Sequence, residues 1–209
     1  MAPAGEPGHR PSPPRDFGPE VRIDPTAFVA PTALVYGRVE VAEHASLWPG
    51  CVIRAECQEV RVGRYTNLQD QVVVHVGYDA PAHIGEFCSI THRAVVHGAR
   101  VEDDCLIGIG AILMDGAVIG AGSIVAPGAV VTEGTKIPPG SIVVGIPARV
   151  IRQRDARREN RLNAWKYVWN ARGYREGRHR NWVGADYERF LREVEARLDS
   201  DAGGGPAEA

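Results

Sequence analysis

Residues 101–137 read VEDDCLIGIGAILMDGAVIGAGSIVAPGAVVTEGTKI, and an aliphatic side chain returns at every sixth position, from Val101 to Ile137. The position four residues after each aliphatic one holds a small side chain, namely Cys105, Ala111, Ala117, Ser123, Ala129 and Thr135. A six-residue strand and turn cannot bury its aliphatic side chain alone, so successive units must stack on one another. The period therefore predicts a narrow solenoid whose flat faces are short parallel β-strands.

The same two-position pattern extends outward from this stretch in both directions. The small position holds Ala, Cys, Ser, Thr or Val in every unit except those with Tyr78, Arg100 and Pro147. With three units per coil, the pattern predicts about seven coils. This hexapeptide pattern resembles the left-handed parallel β-helix family, and the handedness follows from that resemblance. The remaining aliphatic positions are Ile23, Val29, Val35, Val41, Leu47, Ile53, Val62, Leu68, Val74, Ile84, Ile90, Val96 and Val143.

The chain of 209 residues divides into four predicted segments. Residues 1–19 are rich in Pro and Gly and lack an apolar signal core, so we expect a disordered leader. The β-helix is predicted over 20–152, C-terminal α-helices over 153–198, and a disordered tail over 199–209. A low aromatic content of 7% with 24 Gly suits a thin solenoid with many tight corners.

Two helices are predicted after the solenoid. In DARRENRLNAWKYVWNAR, residues 155–172, three apolar residues recur at helical spacing: Leu162, Trp165 and Trp169. A second apolar stripe runs over 185–198 and consists of Tyr187, Phe190, Leu191, Val194 and Leu198. We expect both stripes to pack against the outside of the solenoid or of a neighbouring one.

Charge and composition bear on partners and compartment. The formal net charge is −2, which gives no reason to expect nucleic acid or membrane binding. No apolar stretch approaches the roughly 20 residues of a membrane span. We expect a cytoplasmic protein.

All four cysteines fall in the predicted small inward position: Cys51, Cys57, Cys88 and Cys105. Free cysteine often serves as a small apolar core residue. The chain has no Cys-x-x-Cys, the spacing typical of a zinc ribbon. The pattern predicts four reduced, buried thiols that take no part in metal binding.

Two histidines occupy equivalent places in the repeat. His75 follows Val74 and His97 follows Val96, three units later. If three units form one coil, the two imidazoles stack on one face about 5 Å apart, the spacing of neighbouring strands. Arg54, which follows Ile53, lies one coil below His75. A metal ion can bridge the two histidines of this first column.

A second column lies on the preceding face. Asp70 and His92 each follow a buried aliphatic residue by two positions, and Gln69 is beside Asp70. In a threefold trimer, one face of each subunit meets a different face of the next. His92 of one subunit could then approach His75 and His97 of another. Three imidazoles and a water form the open tetrahedral arrangement of catalytic zinc.

Two segments of the chain resemble the gamma-class carbonic anhydrase family. They are RAECQEVRVGRYTNLQDQVVVHV, residues 54–76, and THRAVVHGARVEDDCLIGIGAILMDGAVIG, residues 91–120. The combination that carries the resemblance is Asn-x-Gln-Asp followed by His, then His-x-x-x-x-His-Gly, then Leu-Ile-Gly-x-Gly-Ala. The resemblance covers about residues 20–152 and the first C-terminal helix.

The resemblance implies a homotrimer with zinc, or Fe²⁺ or Co²⁺, at each subunit boundary. His75 and His97 of one chain and His92 of the next would bind the metal. The resemblance also implies roles for five further residues. Gln69 would orient a metal-bound hydroxide, Arg54 and Asp70 would pair across the interface and shape the site, Asn67 would assist positioning, and Tyr167 would lean toward the site.

The chain departs from the family pattern at three places. Glu56 stands where the family has the Asp of Arg-x-Asp, and Thr91 stands where Gly commonly precedes the second histidine. The segment VGYDAPAH, residues 76–83, lacks the longer acidic loop that carries a glutamate proton shuttle in some relatives.

The resemblance implies reversible hydration of carbon dioxide to bicarbonate by a metal-bound hydroxide, with slow turnover if proton removal depends on buffer. Two alternatives stay open at this stage. One is a coenzyme A thioester hydrolase or acyltransferase-like enzyme on the same fold. The other is a metal-stabilised trimeric scaffold with little catalysis. Fold alone does not distinguish these three functions.

Overall fold

The computed structural model describes residues 17–201 and shows a left-handed parallel β-helix of about seven coils followed by two α-helices. The fold class predicted from the hexapeptide period is therefore confirmed. The strands are β1 (Val21–Ile23), β2 (Phe28–Val29), β3 (Leu34–Val41), β4 (Ser46–Leu47), β5 (Val52–Val62), β6 (Asn67–Leu68), β7 (Val73–His75), β8 (Ala82–Ile84), β9 (Ser89–Ile90), β10 (Val95–His97), β11 (Arg100–Val101), β12 (Leu106–Ile107), β13 (Ile112–Leu113), β14 (Val118–Ile119), β15 (Ile124–Val125), β16 (Val130–Val131), β17 (Lys136–Ile137), β18 (Ser141–Val144) and β19 (Arg149–Gln153).

Parallel pairing between successive coils creates three faces. The first face contains the start of β3 and of β5, then β7, β10, β13 and β16. The second contains β1, the ends of β3 and β5, then β8, β11, β14 and β17. The third contains β2, β4, β6, β9, β12, β15 and β18, and β19 closes it in antiparallel fashion.

The core is a column of the repeated aliphatic and small side chains. Burial of each large aliphatic side chain stabilises the fold by about 1.5–3 kcal/mol, so stacking supplies what one coil lacks. Small residues such as Ala94, Ala111 and Ala117 share this interior with no exposed surface. The fully buried large side chains include Leu47, Ile53, Leu68, Ile90, Ile107, Leu113 and Ile119.

The six-residue period is first interrupted between Ile53 and Val62, and the additional residues there change which side chains point inward. β5 runs through a corner, and Ala55 is buried there while Cys57 is exposed. The neighbouring strand makes the same corner at Gly37, where a Cβ would lie 1.9 Å from the Ala55 carbonyl oxygen and φ is +84°. The predicted burial of Cys57 is therefore wrong, because the additional residues of this corner bulge outward.

The two helices are α1 (Arg157–Arg175) and α2 (Ala185–Asp201). α1 lies on the solenoid as expected: the Arg161 guanidinium covers the Phe87 ring at 4.6 Å and forms an ion pair with the buried Asp104. Burial raises the pKa of the Asp104 carboxyl, against the opposing effect of Arg161. α2 packs on α1, with the Phe190 and Trp169 rings stacked at 4.8 Å. Packing on the solenoid is therefore observed for α1, while packing of α2 on a neighbouring solenoid stays a prediction.

The predicted termini fall largely outside the described residues, which exclude 1–16 and 202–209. Phe17, within the predicted leader, packs against the solenoid core. At the other end, α2 continues to Asp201, three residues beyond the predicted helical segment. In the described part of the chain, neither helix is long and apolar enough to cross a membrane.

The exposure of the cysteines predicts their reactivity. Cys51, Cys88 and Cys105 are buried, and burial raises the pKa of the Cys51 and Cys88 thiols. Since the thiolate is the nucleophile, one thiol per native chain should react rapidly with an aromatic disulfide reagent. Cys57→Ser should abolish this fast phase. Rapid reaction of several thiols, measured by absorbance and mass spectrometry, would contradict the register.

Candidate metal centre

The first predicted column forms as the repeat requires. Strand pairing places Arg54 beside His75, and His75 beside His97, on consecutive coils of the first face. The two imidazole centroids are 4.9 Å apart, and Nδ1 of His75 is 3.0 Å from Nε2 of His97. Two nitrogens bound to one tetrahedral zinc at 2.0–2.1 Å are roughly 3.4 Å apart. The pair therefore needs little adjustment to bind one metal ion.

The second ring nitrogen of each imidazole in this pair is hydrogen-bonded to a carboxylate. Nε2 of His75 is 3.1 Å from Oε2 of Glu56, and Nδ1 of His97 is hydrogen-bonded to Oδ1 of Asp115. With N–H groups directed at the carboxylates, neutral rings would present their remaining lone pairs to each other. A cation bound between the two rings would meet both lone pairs. The donor set fits a divalent cation.

Glu56 explains how the chain accommodates its departure from Arg-x-Asp. Its Oε1 pairs with Arg54 while its Oε2 meets His75. The longer side chain thus joins an arginine and a histidine on neighbouring coils. This contact was not predicted from the sequence, which left the geometry of Glu56 open.

The second column lies on the turns that follow the third face. Nδ1 of His92 is 3.0 Å from Oδ2 of Asp70, so this histidine also has a carboxylate partner. Thr91, which stands where Gly is common in the family, donates its hydroxyl to the Ile107 carbonyl at 2.7 Å and is 8% exposed. The solenoid therefore accommodates the Thr91 side chain without an unsatisfied hydroxyl.

The three histidines are not all brought together within one chain. None of the contacts described for residues 17–201 joins His92 to His75 or His97. Within that range, no three His, Cys, Asp or Glu side chains form a metal-binding group. One chain thus supplies a facing pair and, on another face, a single imidazole.

Gln69 and Asn67 belong to a buried hydrogen-bond chain. Nε2 of Gln69 donates to Oδ1 of Asn67 at 2.9 Å, and Nδ2 of Asn67 donates to Oγ of Ser89 at 2.9 Å. Asn163 of α1 donates to the same hydroxyl at 2.8 Å. The Gln69 amide nitrogen is thus used as a donor to Asn67, and the side-chain carbonyl oxygen of Gln69 remains as an acceptor. Sequence reasoning missed Ser89 and Asn163, since neither has a repeat-based signal.

Tyr167 lies in an aromatic cluster beside the second column. Its ring meets Trp48 edge-on at 5.4 Å and Trp182 at 5.6 Å, and the residue is 8% exposed. Burial raises the pKa of Tyr167 to about 12, with further contributions from the charge of Asp70 and from Tyr174. The phenol is therefore neutral at physiological pH and can donate, but not remove, a proton.

The short segment after His75 forms a compact turn. The Gly77 amide donates to the Ala80 carbonyl at 2.8 Å, and Gln58 and Cys57 contact the backbone of Tyr78 and Gly77 from the β5 corner. The Tyr78 ring is 88% exposed. In this turn, Asp79 is the only carboxylate.

Comparisons with known proteins bear on the family of this chain. The family model described as bacterial transferase hexapeptide (six repeats) matches residues 98–133. A Methanocaldococcus jannaschii protein named "Probable carbonic anhydrase" is 45% identical over 142 residues, covering 67% of this chain and 89% of that protein. Gamma carbonic anhydrase 2, mitochondrial, of Arabidopsis thaliana is 42% identical over 98 residues, covering 44% of this chain and 35% of the relative. The alignment thus spans about a third of that relative.

Solved structures give the same architecture. A hexapeptide transferase family protein from Anaplasma phagocytophilum superposes with a TM-score of 0.70 at 34% identity, covering 74% of this chain and 92% of the other. The fold and the stacked histidines define a hexapeptide-repeat protein with a candidate metal centre. Within that class, the chain belongs to the gamma-class carbonic anhydrase family.

The raised pKa of Tyr167 predicts how stability responds to alkali. Its folded-state pKa, about 12, lies above the ordinary value of 10.0. The resulting stabilisation is fully present below pH 10 and is lost as the pH rises through 12, by an amount on the order of 2–3 kcal/mol. Urea unfolding at pH 8–11.5 should show a shallower alkaline decline for Tyr167→Phe. Tyr78→Phe, which removes an exposed hydroxyl, is the control, and identical profiles for wild type and Tyr167→Phe would contradict the prediction.

Proposed function

We propose that this protein is a homotrimeric, metal-dependent carbonic anhydrase that reversibly hydrates carbon dioxide to bicarbonate. The observation that carries the proposal is the facing pair His75 and His97, each held on a carboxylate by its other nitrogen. His92 of a neighbouring subunit would complete the site. Membership of the gamma-class family supports this reading, and imidazole donors suit zinc, iron or cobalt.

A bound divalent cation would lower the pKa of a coordinated water to about 7 and so provide hydroxide at neutral pH. The residues of this chain have separate tasks around it. The side-chain carbonyl oxygen of Gln69 would accept a hydrogen bond from that water, because the Gln69 amide nitrogen donates to Asn67. Asp70 orients His92, while Arg54 acts through Glu56 on His75.

Hydration of carbon dioxide releases bicarbonate and one proton, and the proton must leave the site. A proton acceptor needs to be within hydrogen-bond reach, directly or through a water. Tyr167 is unsuited because burial keeps its phenol protonated. Glu56 already accepts from Arg54 and His75. Soluble buffer is therefore the proposed proton acceptor, and the cytoplasm, which maintains reduced thiols, is the proposed compartment.

The intersubunit ligand is tested by His92→Ala. This variant should lose most of its metal and weaken the trimer, because metal binding contributes to assembly. His83→Ala is the matched control, since His83 contacts Glu59 on the second face, away from both columns. Metal content by plasma emission and mass by light scattering report the two effects. Wild-type metal content in His92→Ala would rule out this ligand set.

The route of the proton is tested by buffer dependence. Carbon dioxide hydration should accelerate with buffer concentration, most strongly with small imidazole buffers. Asp79→Ala should change the rate less than twofold, because Asp79 is a turn residue. Stopped-flow measurements with a pH indicator would show this, and a high rate independent of buffer would contradict it.

Acyl transfer is the second candidate function. It is favoured by one observation: the matching family model and the superposed Anaplasma phagocytophilum structure are both described as transferases. Thioester hydrolysis on the same scaffold belongs with it. Full metal loading with no hydration in any buffer, but turnover of an acyl-coenzyme A, would favour this function. Metal loading without either activity would indicate a metal-stabilised scaffold.

A further inference from the structure

Two glycines next to the paired histidines leave room for one carboxylate. A Cβ added at Gly77 would lie 2.5 Å from Oδ2 of Asp115, and one added at Gly98 would lie 2.5 Å from Oδ1. Atoms of Asp115 are the three nearest neighbours of the Gly77 Cβ position. The Asp115 side chain therefore occupies a slot beside Gly77 and Gly98. A side chain at either glycine would narrow this slot.

The backbone fixes Asp115 in this slot. The Gly116 amide donates to the Gly98 carbonyl at 2.7 Å, and the Gly134 amide donates to the Asp115 carbonyl at 2.8 Å. Lys136 donates to the Gly116 carbonyl at 2.7 Å. The turn is thus hydrogen-bonded to the coils on both sides. Its carboxylate reaches Nδ1 of His97 directly.

We propose that Asp115 is a positioning residue that fixes the tautomer and ring orientation of His97, so that Nε2 presents its lone pair toward Nδ1 of His75. The metal-binding part of this inference rests on the function proposed above. A carboxylate that accepts from the far nitrogen of a ligating histidine raises ligand basicity and prevents ring rotation. Asp115 has no other ion pair among the described residues, so the histidine is its evident partner.

A role confined to packing would predict something different. The Asp115 side chain is 36% exposed, so its removal leaves no sealed cavity. Asn matches its size and would still fill the slot between Gly77 and Gly98. A change in metal affinity in Asp115→Asn would therefore reflect loss of the negative charge at residue 115, which contacts His97.

The principal test compares Asp115→Asn with Glu133→Gln. Glu133 occupies the equivalent turn position one coil further on, as the hydrogen bond between Gly134 and Asp115 shows. We expect Asp115→Asn to weaken zinc affinity by about 10- to 100-fold in chelator competition, with the trimer retained. Glu133→Gln should match wild type. Equal zinc affinity in wild type and Asp115→Asn would overturn the inference.

A double-mutant cycle tests the slot itself. Gly77→Ala should displace the carboxylate and weaken zinc binding when Asp115 is present. In an Asp115→Ala background the same change should have little further effect, because the clashing atoms are gone. An equally large loss in both backgrounds would show that Gly77 acts through other contacts, contrary to the inference.

Nitrogen-15 NMR of the metal-free protein separates this inference from the proposed function. His97 should be held as the Nδ1–H tautomer in wild type, and Asp115→Ala should release it to a mixture. This readout requires neither zinc nor turnover. Wild type that shows the tautomer but never hydrates carbon dioxide would refute the function and keep the inference. An unchanged His97 tautomer in Asp115→Ala would refute the inference whatever the activity.

Discussion

The parallel hydrogen-bond register between successive coils is the constraint on which the candidate site depends. It places His75 beside His97, and Arg54 beside His75, at the spacing of neighbouring strands. A slip of one residue would turn both imidazoles into the core and expose Val74 and Val96, which are fully buried. The aliphatic column thus sets the geometry of the site as well as stabilising the fold.

That link explains why the first column could be predicted from the sequence. The side-chain period fixes which residues face outward, and counting units fixes which of them stack. The same counting failed at Cys57, because β5 holds more residues than a hexapeptide and periodicity does not say which of them leave the interior. Counting repeat units could not predict the contact between Asp115 and His97 either. The direction of the Asp115 side chain is set by a turn and by the missing Cβ atoms of Gly77 and Gly98.

The polar contacts made by α1 could not be predicted from the sequence, for a different reason. An apolar stripe predicts that a helix packs, and α1 does pack on the solenoid. The stripe says nothing about polar residues between its members, such as Asn163, whose amide reaches Ser89 across 74 positions of sequence. Through Ser89 and Asn67, this helix helps to hold the amide of Gln69. The aromatic contact of Tyr167 with Trp48 adds a second attachment in the same region.

Under the function proposed above, metal retention and turnover would be controlled by different residues. His75 and His97 are hydrogen-bonded to the carboxylates of Glu56 and Asp115, and Nδ1 of His92 lies 3.0 Å from Oδ2 of Asp70. Such partners make imidazole a stronger ligand and favour retention of a cation. The same negative charge opposes ionisation of a coordinated water, because it partly offsets the charge of the metal. With only Asp79 in the short turn after His75, such a site would combine a strongly held metal with limited means of removing a proton. If the proposed function holds, proton removal, and not assembly of the metal centre, would set the rate of hydration.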